Sequence, residues 1–255
     1  MDGPVSEEKG ERIAKVIARA GLASRREVER WIADGRVSVD GKVLTTPAVV
    51  VTTSSRIMVD GRPLPSAQRS RLFRFHKPRG MLTTEHDPQG RPTIYDGMPA
   101  ELPRLMPVGR LDFNSEGLLL LTNDGELKRH LELPATGWTR RYRVRAHGNC
   151  NPEALAALKH GVVVEGVRYG SIEAVIDRQQ GSNSWLTMTL TEGKNREVRR
   201  VLEHLGLTVN RLIRIAYGPF QLGDIPSLAC VEVAPKLLSD QLGKLAQGKP
   251  QGKTK

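Results

Sequence analysis

The chain of 255 residues is 38% hydrophobic and 26% charged, so it can bury a sizeable core in one large domain or in a large and a small one. Its longest apolar runs, such as GLLLLT, are too short to cross a bilayer, and the acidic start MDGPVSEE does not resemble a signal peptide. We therefore expect a globular cytoplasmic protein without membrane contact, and its net charge of +11 favours a polyanionic partner.

The basic residues concentrate at the two ends of the chain. Residues 1–75 hold 14 Lys and Arg against 9 Asp and Glu, whereas residues 76–235 hold 20 against 18. Residues 236–255 hold 5 against 1, and their Gly, Lys and Gln content predicts a disordered basic tail. A near-neutral centre between basic ends indicates a catalytic body with nucleic-acid-binding appendages, and the alternative is charge that serves only solubility.

Two amphipathic helices are predicted first. ERIAKVIARAGL, 11–22, places apolar residues at i, i+3, i+4 and i+7, with basic residues on the other side. SRREVERWIADG begins with a capping box, Ser24 and Glu27, and Gly35 is placed to end the helix. Short strands then flank the turns Asp40-Gly41 and Asp60-Gly61. These elements predict a compact module over residues 11–64, followed by a linker at 65–71.

A second unit is predicted over residues 72–235. It begins with the strand LFRFHKP, and helices are expected from Asn151-Pro152 to His160 and over VRRVLEHLG. Further strands are expected at 140–146, 162–168, 170–177, 184–191 and 209–217. Because no regular strand-helix-strand alternation occurs, we predict an α+β fold with a mixed, largely antiparallel sheet.

Several motifs that would indicate a cofactor are missing from the sequence. It contains no P-loop, no GxGxxG after a strand, no HExxH and no zinc-deaminase signature. Cys150 and Cys230 stand in no metal-binding spacing and suggest no disulfide framework. We therefore expect neither a cofactor nor a metal site.

Three basic or polar stretches are candidates for substrate binding. In RRYRVRAHG, Tyr142 alternates with Arg141, Arg143 and Arg145, which suits a nucleic acid, although a half-buried edge strand with solvated arginines explains the pattern equally well. EGKNREVRR gathers cations at a helix start, where they oppose the helix dipole. The long polar loop HKPRGMLTTEHDPQGRPTIYD is either a substrate-facing segment or an ordinary surface loop.

A fourth candidate is the carboxylate of Asp112. It lies between Arg110 and Asn114, just before the buried strand candidate Leu118 to Thr122. Taken alone, an acid at this place more often satisfies backbone donors in a turn.

These stretches together resemble a known family. VGRLDFNSEGLLLLTNDGEL, EGKNREVRR and RLIRIAYG resemble motifs of the RsuA/RluB branch of bacterial pseudouridine synthases. RIAKVIARAGLASRREVERWIADGRVSVDGKVL resembles the small S4 (αL-like) RNA-binding domain that usually precedes it. The resemblance covers residues 11 to about 235, and within the branch NREVRR and the long polar loop are closest to the RluB type, which modifies 23S rather than 16S ribosomal RNA.

The resemblance implies roles for individual residues. Asp112 would be the catalytic aspartate, Tyr142 would stack on the target base, Arg199 would pair with Asp112, and Leu212 would form an apolar wall, with Arg110 beside Asp112. One departure is that Arg140 stands where a lysine often precedes the tyrosine by two. The residues expected to bind RNA are Arg12, Lys15, Arg19, Arg25, Arg26, Lys77, Arg140, Arg143, Lys194 and Arg196.

The implied reaction breaks the N1–C1′ bond of uridine, turns the base and rejoins it through C5, which needs no cofactor. Asp112 would either attack covalently or remove the C2′ proton to give a glycal, and the sequence does not choose between them. The expected partner is ribosomal RNA, free or in a ribosomal subunit precursor, bound by a monomer. Three alternatives are a 16S ribosomal RNA pseudouridine synthase of the RsuA type, a non-catalytic ribosome-assembly factor and a DNA- or tRNA-binding protein.

Overall fold

The computed structural model describes residues 10–66 and 68–247, with side chains described up to residue 243. The described chain divides into two compact units. The first takes the residues up to Ser70 with Leu102–Leu105 and Asn123–Gly125, and the second takes Arg71–Glu101, Met106–Thr122 and the residues from Glu126 onward. Within the described residues, no helix has the length and apolar character needed to cross a membrane.

In its described residues, the first unit contains two helices and six short strands. In chain order they are β1 (Glu11–Arg12), α1 (Ile13–Arg19), α2 (Arg25–Ala33), β2 (Val37–Val39), β3 (Lys42–Val43), β4 (Val50–Val51), β5 (Ile57–Val59) and β6 (Arg62–Pro63). The strands form a sheet of order β3-β2-β5-β6 and a separate β1-β4 pair. Ile13, Ile17, Val28 and Ile32, which carry the predicted apolar stripes, are fully buried in the core of this unit.

The turn and cap signals of this unit are confirmed. The Ser24 hydroxyl accepts a hydrogen bond from the Glu27 amide at 3.2 Å, as the capping box predicts. The pair Asp40-Gly41 has φ angles of +51° and +80°, and Asp60-Gly61 repeats them at +49° and +73°. Two successive positive φ angles are the geometry of the tight hairpin turn that Asp-Gly favours.

The second unit is built on one large sheet. Its elements are β7 (Leu72–Lys77), β8 (Met106–Val108), β9 (Glu116–Thr122), α3 (Gly125–Glu132), β10 (Arg140–His147), α4 (Pro152–Ala157), β11 (Val162–Val164), β12 (Val167–Tyr169), β13 (Ile172–Gln180), β14 (Asn183–Leu190), α5 (Glu197–His204), β15 (Thr208–Tyr217), β16 (Phe220–Gln221), β17 (Cys230–Glu232) and α6 (Pro235–Gln247). The sheet runs β13-β14-β10-β15-β9-β7-β17, with β16 beside β15 and β8 beside β9. Only β9 and β15 pair in parallel among its described strands, so the predicted mixed, largely antiparallel sheet is confirmed.

The apolar run GLLLLT forms most of the central strand β9. All seven of its residues are buried, because Leu118 and Leu120 pack on one face against Leu127 and Leu131 of α3 while the alternate leucines pack on the other. A strand covered on both faces reads as continuous rather than alternating hydrophobicity. At its start, Gly117 lies so close to β15 that a Cβ would stand 2.4 Å from the Arg214 carbonyl oxygen, so only glycine fits.

Two predicted elements differ most from the structure in extent. The first helix spans only Ile13–Arg19, since Glu11 and Arg12 pair as β1 with Val50–Val51. The predicted strand 162–168 is instead a hairpin of β11 and β12. Its turn is Glu165-Gly166, with φ angles of +48° and +77°, a Glu-Gly pair that is a weaker turn signal than Asp-Gly.

The predicted disordered tail from residue 236 is wrong for residues 236–247. Helix α6 covers Pro235–Gln247, and Leu238 and Leu242 on one side of it pack against the core of the second unit. This i, i+4 pair stabilises the helix through burial, although the surrounding Gly, Lys and Gln residues resemble a linker. Residues 248–255 lie outside the described residues.

Candidate functional site

The second unit contains a cavity of about 580 Å³. The loop before β9, the inner faces of β10 and β15 and the turn before α5 form its walls. The predicted site residues that line it are Arg110, Asp112, Arg140, Tyr142, Lys194, Arg196 and Leu212. The fold therefore brings together residues as far apart in sequence as Arg110 and Leu212.

The loop Leu111–Ser115 is held by its backbone carbonyls. Leu111 O accepts from the Thr83 hydroxyl at 2.9 Å, Phe113 O from the Gly80 amide at 2.8 Å, and Asn114 O from the Arg199 guanidinium at 3.0 Å. The two remaining carbonyls, of Asp112 and Ser115, both accept from the Lys77 ammonium, at 3.1 and 2.9 Å. Every carbonyl of the loop is thus engaged, and these bonds fix the point at which the Asp112 side chain leaves the backbone.

The Asp112 carboxylate itself is half-buried and has neither a hydrogen bond nor an ion pair with the described residues. The predicted pairing of Arg199 with Asp112 is therefore not formed in the structure. Arg199 donates to the carbonyls of Asn114 and Val209 instead, at 3.0 and 3.2 Å. Burial lowers the pKa of Arg199 and the nearby Arg196 lowers it further, while Asp112 raises it, so the two groups still interact electrostatically.

Lys77 was predicted to bind RNA, and this prediction is wrong. Its side chain is fully buried, and its ammonium donates to the carbonyls of Pro78, Asp112 and Ser115. An ammonium has three protons, so these three acceptors saturate it and none is left for a phosphate. Lys77 is a positioning residue for the Asp112 loop, at a cost in desolvation that lowers its pKa from 10.5 to about 8.

This lowered pKa makes stability depend on pH. Between about pH 8 and 10.5 the unfolded chain holds the Lys77 proton and the folded chain does not, so the free energy of unfolding gains up to about 1.4 kcal/mol per pH unit from this group. We expect Lys77→Met to lack that gain. Urea unfolding of wild type and variant at pH 7.5 to 10 measures it, with the exposed Lys236→Met as control. Parallel curves for wild type and Lys77→Met would contradict the assignment.

Strand β10 sends alternate side chains to opposite faces of the sheet. Tyr142 is 9% exposed and lines the cavity, whereas Arg143 is on the other face with 53% of its side chain exposed. Arg143 therefore cannot contact a nucleotide beside Tyr142. Arg140 lines the cavity but is anchored, because it bonds to the Tyr217 hydroxyl at 3.0 Å and lies over that ring.

The turn before α5 carries two exposed cations and a buried acid. Arg196 occupies the helix N-cap with a φ angle of +51°, a strained conformation for a residue with a side chain. The Lys194 amide donates to the Glu197 carboxylate at 2.8 Å, and burial raises the pKa of Glu197. The Lys194 ammonium bonds to Glu192 and to the Arg168 carbonyl at the cavity edge.

Buried polar atoms without partners collect around this cavity. In the described part of the chain, Ser115 Oγ, Glu197 Oε1 and Arg214 Nη2 belong to residues that line the cavity, whereas Arg199 Nε and Ser184 Oγ belong to residues that do not. Buried polar atoms are nearly always hydrogen-bonded in native proteins, so a group of unpaired ones favours a site that binds water or substrate.

Sequence reasoning assigned no role to Arg214, which lines the cavity at 2% exposure. Its guanidinium donates to Leu118 O at 2.7 Å, and it is directly opposite Tyr142 in the β10–β15 register. The signal was the alternation in RLIRIAYG, where Arg214 shares the inward face with Leu212 and Ala216. An arginine at an inward-facing position of a strand indicates a functional residue rather than a solvent-exposed one.

The five predicted RNA-binding residues of the first unit differ in their contacts. Lys15 and Arg19 both bind the Glu11 carboxylate. Arg12, Arg25 and Arg26 are exposed and form no ion pair with any residue that the structure describes. For metal binding, no cluster of three His, Cys, Asp or Glu side chains occurs in residues 10–66 or 68–247.

Comparison with known proteins identifies relatives over most of the chain. Residues 71–204 match the RNA pseudouridylate synthase family, and residues 11–57 match the S4 domain. A protein of Rickettsia bellii named "Uncharacterized RNA pseudouridine synthase" is 45% identical over 227 residues, which is 89% of this chain and 98% of that protein. The ribosomal large subunit pseudouridine synthase B of Yersinia pestis is 43% identical over 219 residues, 84% of this chain and 69% of that protein.

Among solved structures, a crystal structure of a pseudouridylate synthase aligns with 90% of this chain and 99% of its own. Its TM-score is 0.65 at 23% identity, which supports the same fold for both chains.

Proposed function

Because the chain belongs to the RNA pseudouridylate synthase family and begins with an S4 domain, we propose that it converts a specific uridine of 23S ribosomal RNA to pseudouridine, with Asp112 as the catalytic residue. The 23S target follows the relatives named ribosomal large subunit pseudouridine synthase B, two of which are 43% and 44% identical to this chain. Since ribosomal RNA of bacteria is in the cytoplasm, we also propose that location, with the protein acting as a monomer.

One observation carries the proposal for Asp112. Its carboxylate is unpaired among the described residues, in a cavity that Tyr142 and Leu212 also line. A structural aspartate in a turn would accept hydrogen bonds from the backbone. The loop around Asp112 is held through its carbonyls instead, so both carboxylate oxygens stay available. The non-catalytic alternatives give no reason for a clamped loop that presents a free carboxylate.

The neighbouring residues have complementary tasks in this proposal. A uridine in folded RNA has to be flipped out at a cost of a few kcal/mol, and stacking on Tyr142 returns roughly 1–3 kcal/mol of it. The apolar side chain of Leu212 helps to hold the detached uracil, which would otherwise escape before it rejoins the ribose. Asp112 then acts by covalent attack or by removing the C2′ proton, and the geometry is compatible with both.

Pseudouridine mapping tests the proposal. Carbodiimide labelling and primer extension would be applied to 16S and 23S RNA from cells with and without the gene. We expect one 23S stop to disappear in the deletion and to return with the wild-type gene but not with Asp112→Asn. A lost 16S stop would overturn the proposed target, and no lost stop would favour a ribosome-assembly factor without catalysis.

The first unit is proposed to bind RNA mainly through its unpaired cations. Replacing Arg12, Arg25 and Arg26 by Ala should lower the salt slope of RNA binding by about 0.7 to 0.9 per lost phosphate contact. The double variant Lys15→Ala/Arg19→Ala is the matched control, since both cations bind Glu11, whose single charge offsets one of the two, and we expect a smaller change. Filter binding over a salt series measures the slopes, and equal slopes for the triple variant and wild type would exclude this surface.

A further inference from the structure

The outer face of the large sheet, opposite the cavity, carries a second group of cations. Along β10, Tyr142 faces the cavity, whereas Arg141, Arg143 and Arg145 are exposed on the other face. One nucleotide therefore cannot stack on Tyr142 and at the same time bind these guanidiniums. The arginines need an explanation separate from the catalytic site.

The outer face is arranged as a row across four strands. Arg145 of β10 is opposite Trp185 of β14 on one side and Arg211 of β15 on the other, and Trp185 is opposite Arg178 of β13. We call Arg178, Trp185, Arg145 and Arg211 the arginine row. Residues directly opposite in a sheet point to the same face, so these four side chains share one surface.

The stability of the fold does not account for this arrangement. Arg145 faces Arg211 across the β10–β15 pair. Arg211 is neutralised by Glu116, with contacts of 2.6 and 3.2 Å. Arg145 and Arg178 form no ion pair with any residue within the described ranges. The simpler interpretation of these arginines assumed that β10 is an edge strand. That assumption is wrong, because β14 and β15 pair with β10 on its two sides.

The surface is open and has an aromatic ring at its centre. Arg143 and Val175 beside the row are 53% and 51% exposed. The Arg143 guanidinium lies 4.8 Å from the Trp185 ring centroid, over one face of the half-buried indole, and 3.9 Å from Asp177. The cations Arg141, Arg143, Arg145, Arg178 and Arg211 outnumber the acids of this face, Glu116, Glu173 and Asp177.

We propose that the arginine row is a second RNA-binding surface, which holds a single-stranded or looped segment of the substrate RNA outside the target site. Guanidiniums bind phosphates in forked geometry, and the half-buried indole of Trp185 between them offers an exposed edge against which a base packs. The excess of cations over acids favours RNA over a protein partner. The proposal rests on RNA being the substrate, and because the row is on the opposite face of the sheet from the cavity, only an RNA long enough to pass around the sheet reaches both.

Binding of two RNA lengths tests this proposal. The variant Arg145→Ala/Arg178→Ala would be compared with wild type on a long 23S transcript and on a stem-loop of about twenty nucleotides. We expect affinity for the long RNA to fall roughly tenfold and its salt slope to fall by about 1.5, with the short RNA unaffected. Arg145→Lys/Arg178→Lys should recover most of the salt slope, and Lys159→Ala/Lys236→Ala, which removes two exposed charges elsewhere in the unit, should change little.

Ultraviolet crosslinking adds a direct readout, with RNA fragments expected on the β14 peptide that contains Trp185. Unchanged affinity and slope for the long RNA, or an equal loss on the short RNA, would overturn the proposal. A change in oligomeric state without a change in RNA binding would assign the surface to a protein partner and overturn it as well. The assay measures binding and not turnover. A protein that lacks the proposed activity would therefore still show whether the arginine row binds RNA.

Discussion

Asp112→Asn should lower kcat by at least about 10²-fold while RNA affinity stays within about twofold of wild type. The amide has the shape of the carboxylate but neither attacks C1′ or C6 nor removes a proton from C2′. Because the loop is held by carbonyls rather than by the Asp112 side chain, we expect the fold and the cavity to persist. Single-turnover tritium release from uridine-labelled RNA measures the rate, and filter binding measures the affinity.

Asp224→Asn is a suitable control, because Asp224 is an exposed acid of the same unit that does not line the cavity. Retained turnover in Asp112→Asn would exclude Asp112 as nucleophile and as base. Deuterium at C2′ of the target uridine separates the two roles in the wild-type enzyme. A slower reaction would favour proton removal by Asp112, and an unchanged rate would favour covalent attack.

Several residues that point into the cavity could be predicted because their signals are local, although Arg214, on the same face, was not among them. The buried strand after Asp112 and the alternation around Tyr142 are readable in single stretches, and resemblance to a family connected them. The inward position of Leu212 on β15 follows from the same two-residue period. The two-residue period of a strand determines which face a side chain takes, so a short stretch of sequence is sufficient to predict that face.

The residues that hold the loop could not be predicted in the same way. Lys77 contacts carbonyls 35 and 38 residues away, and nothing in HKPRG distinguishes its buried ammonium from the exposed cation expected for RNA binding. Arg199 contacts a carbonyl 85 residues away and looked like a partner for the Asp112 side chain. Carbonyl acceptors are present at every residue, so sequence does not show which of them a cation will meet.

The contacts of Arg199 predict the second large effect. Arg199→Met should remove both hydrogen bonds that connect α5 to the carbonyls of Asn114 and Val209. A displacement of the Asp112 carboxylate by about 1 Å is enough to cost roughly 10²-fold in rate, so we expect kcat to fall by about that factor with KM nearly unchanged. The neighbouring Arg200→Met is the matched control, because that side chain is more exposed and has no hydrogen bond or ion pair with the described residues.

Two further measurements distinguish positioning from loss of folding. Methionine removes a buried charge together with its hydrogen bonds. The change in the free energy of unfolding should therefore be smaller than the change in activation free energy that corresponds to the fall in kcat. Arg199→Lys keeps a cation that reaches one of the two carbonyls, and it should restore part of kcat. If Arg199→Met instead raised KM for RNA and left kcat intact, Arg199 would be a substrate-binding residue, and the clamped loop would not depend on it.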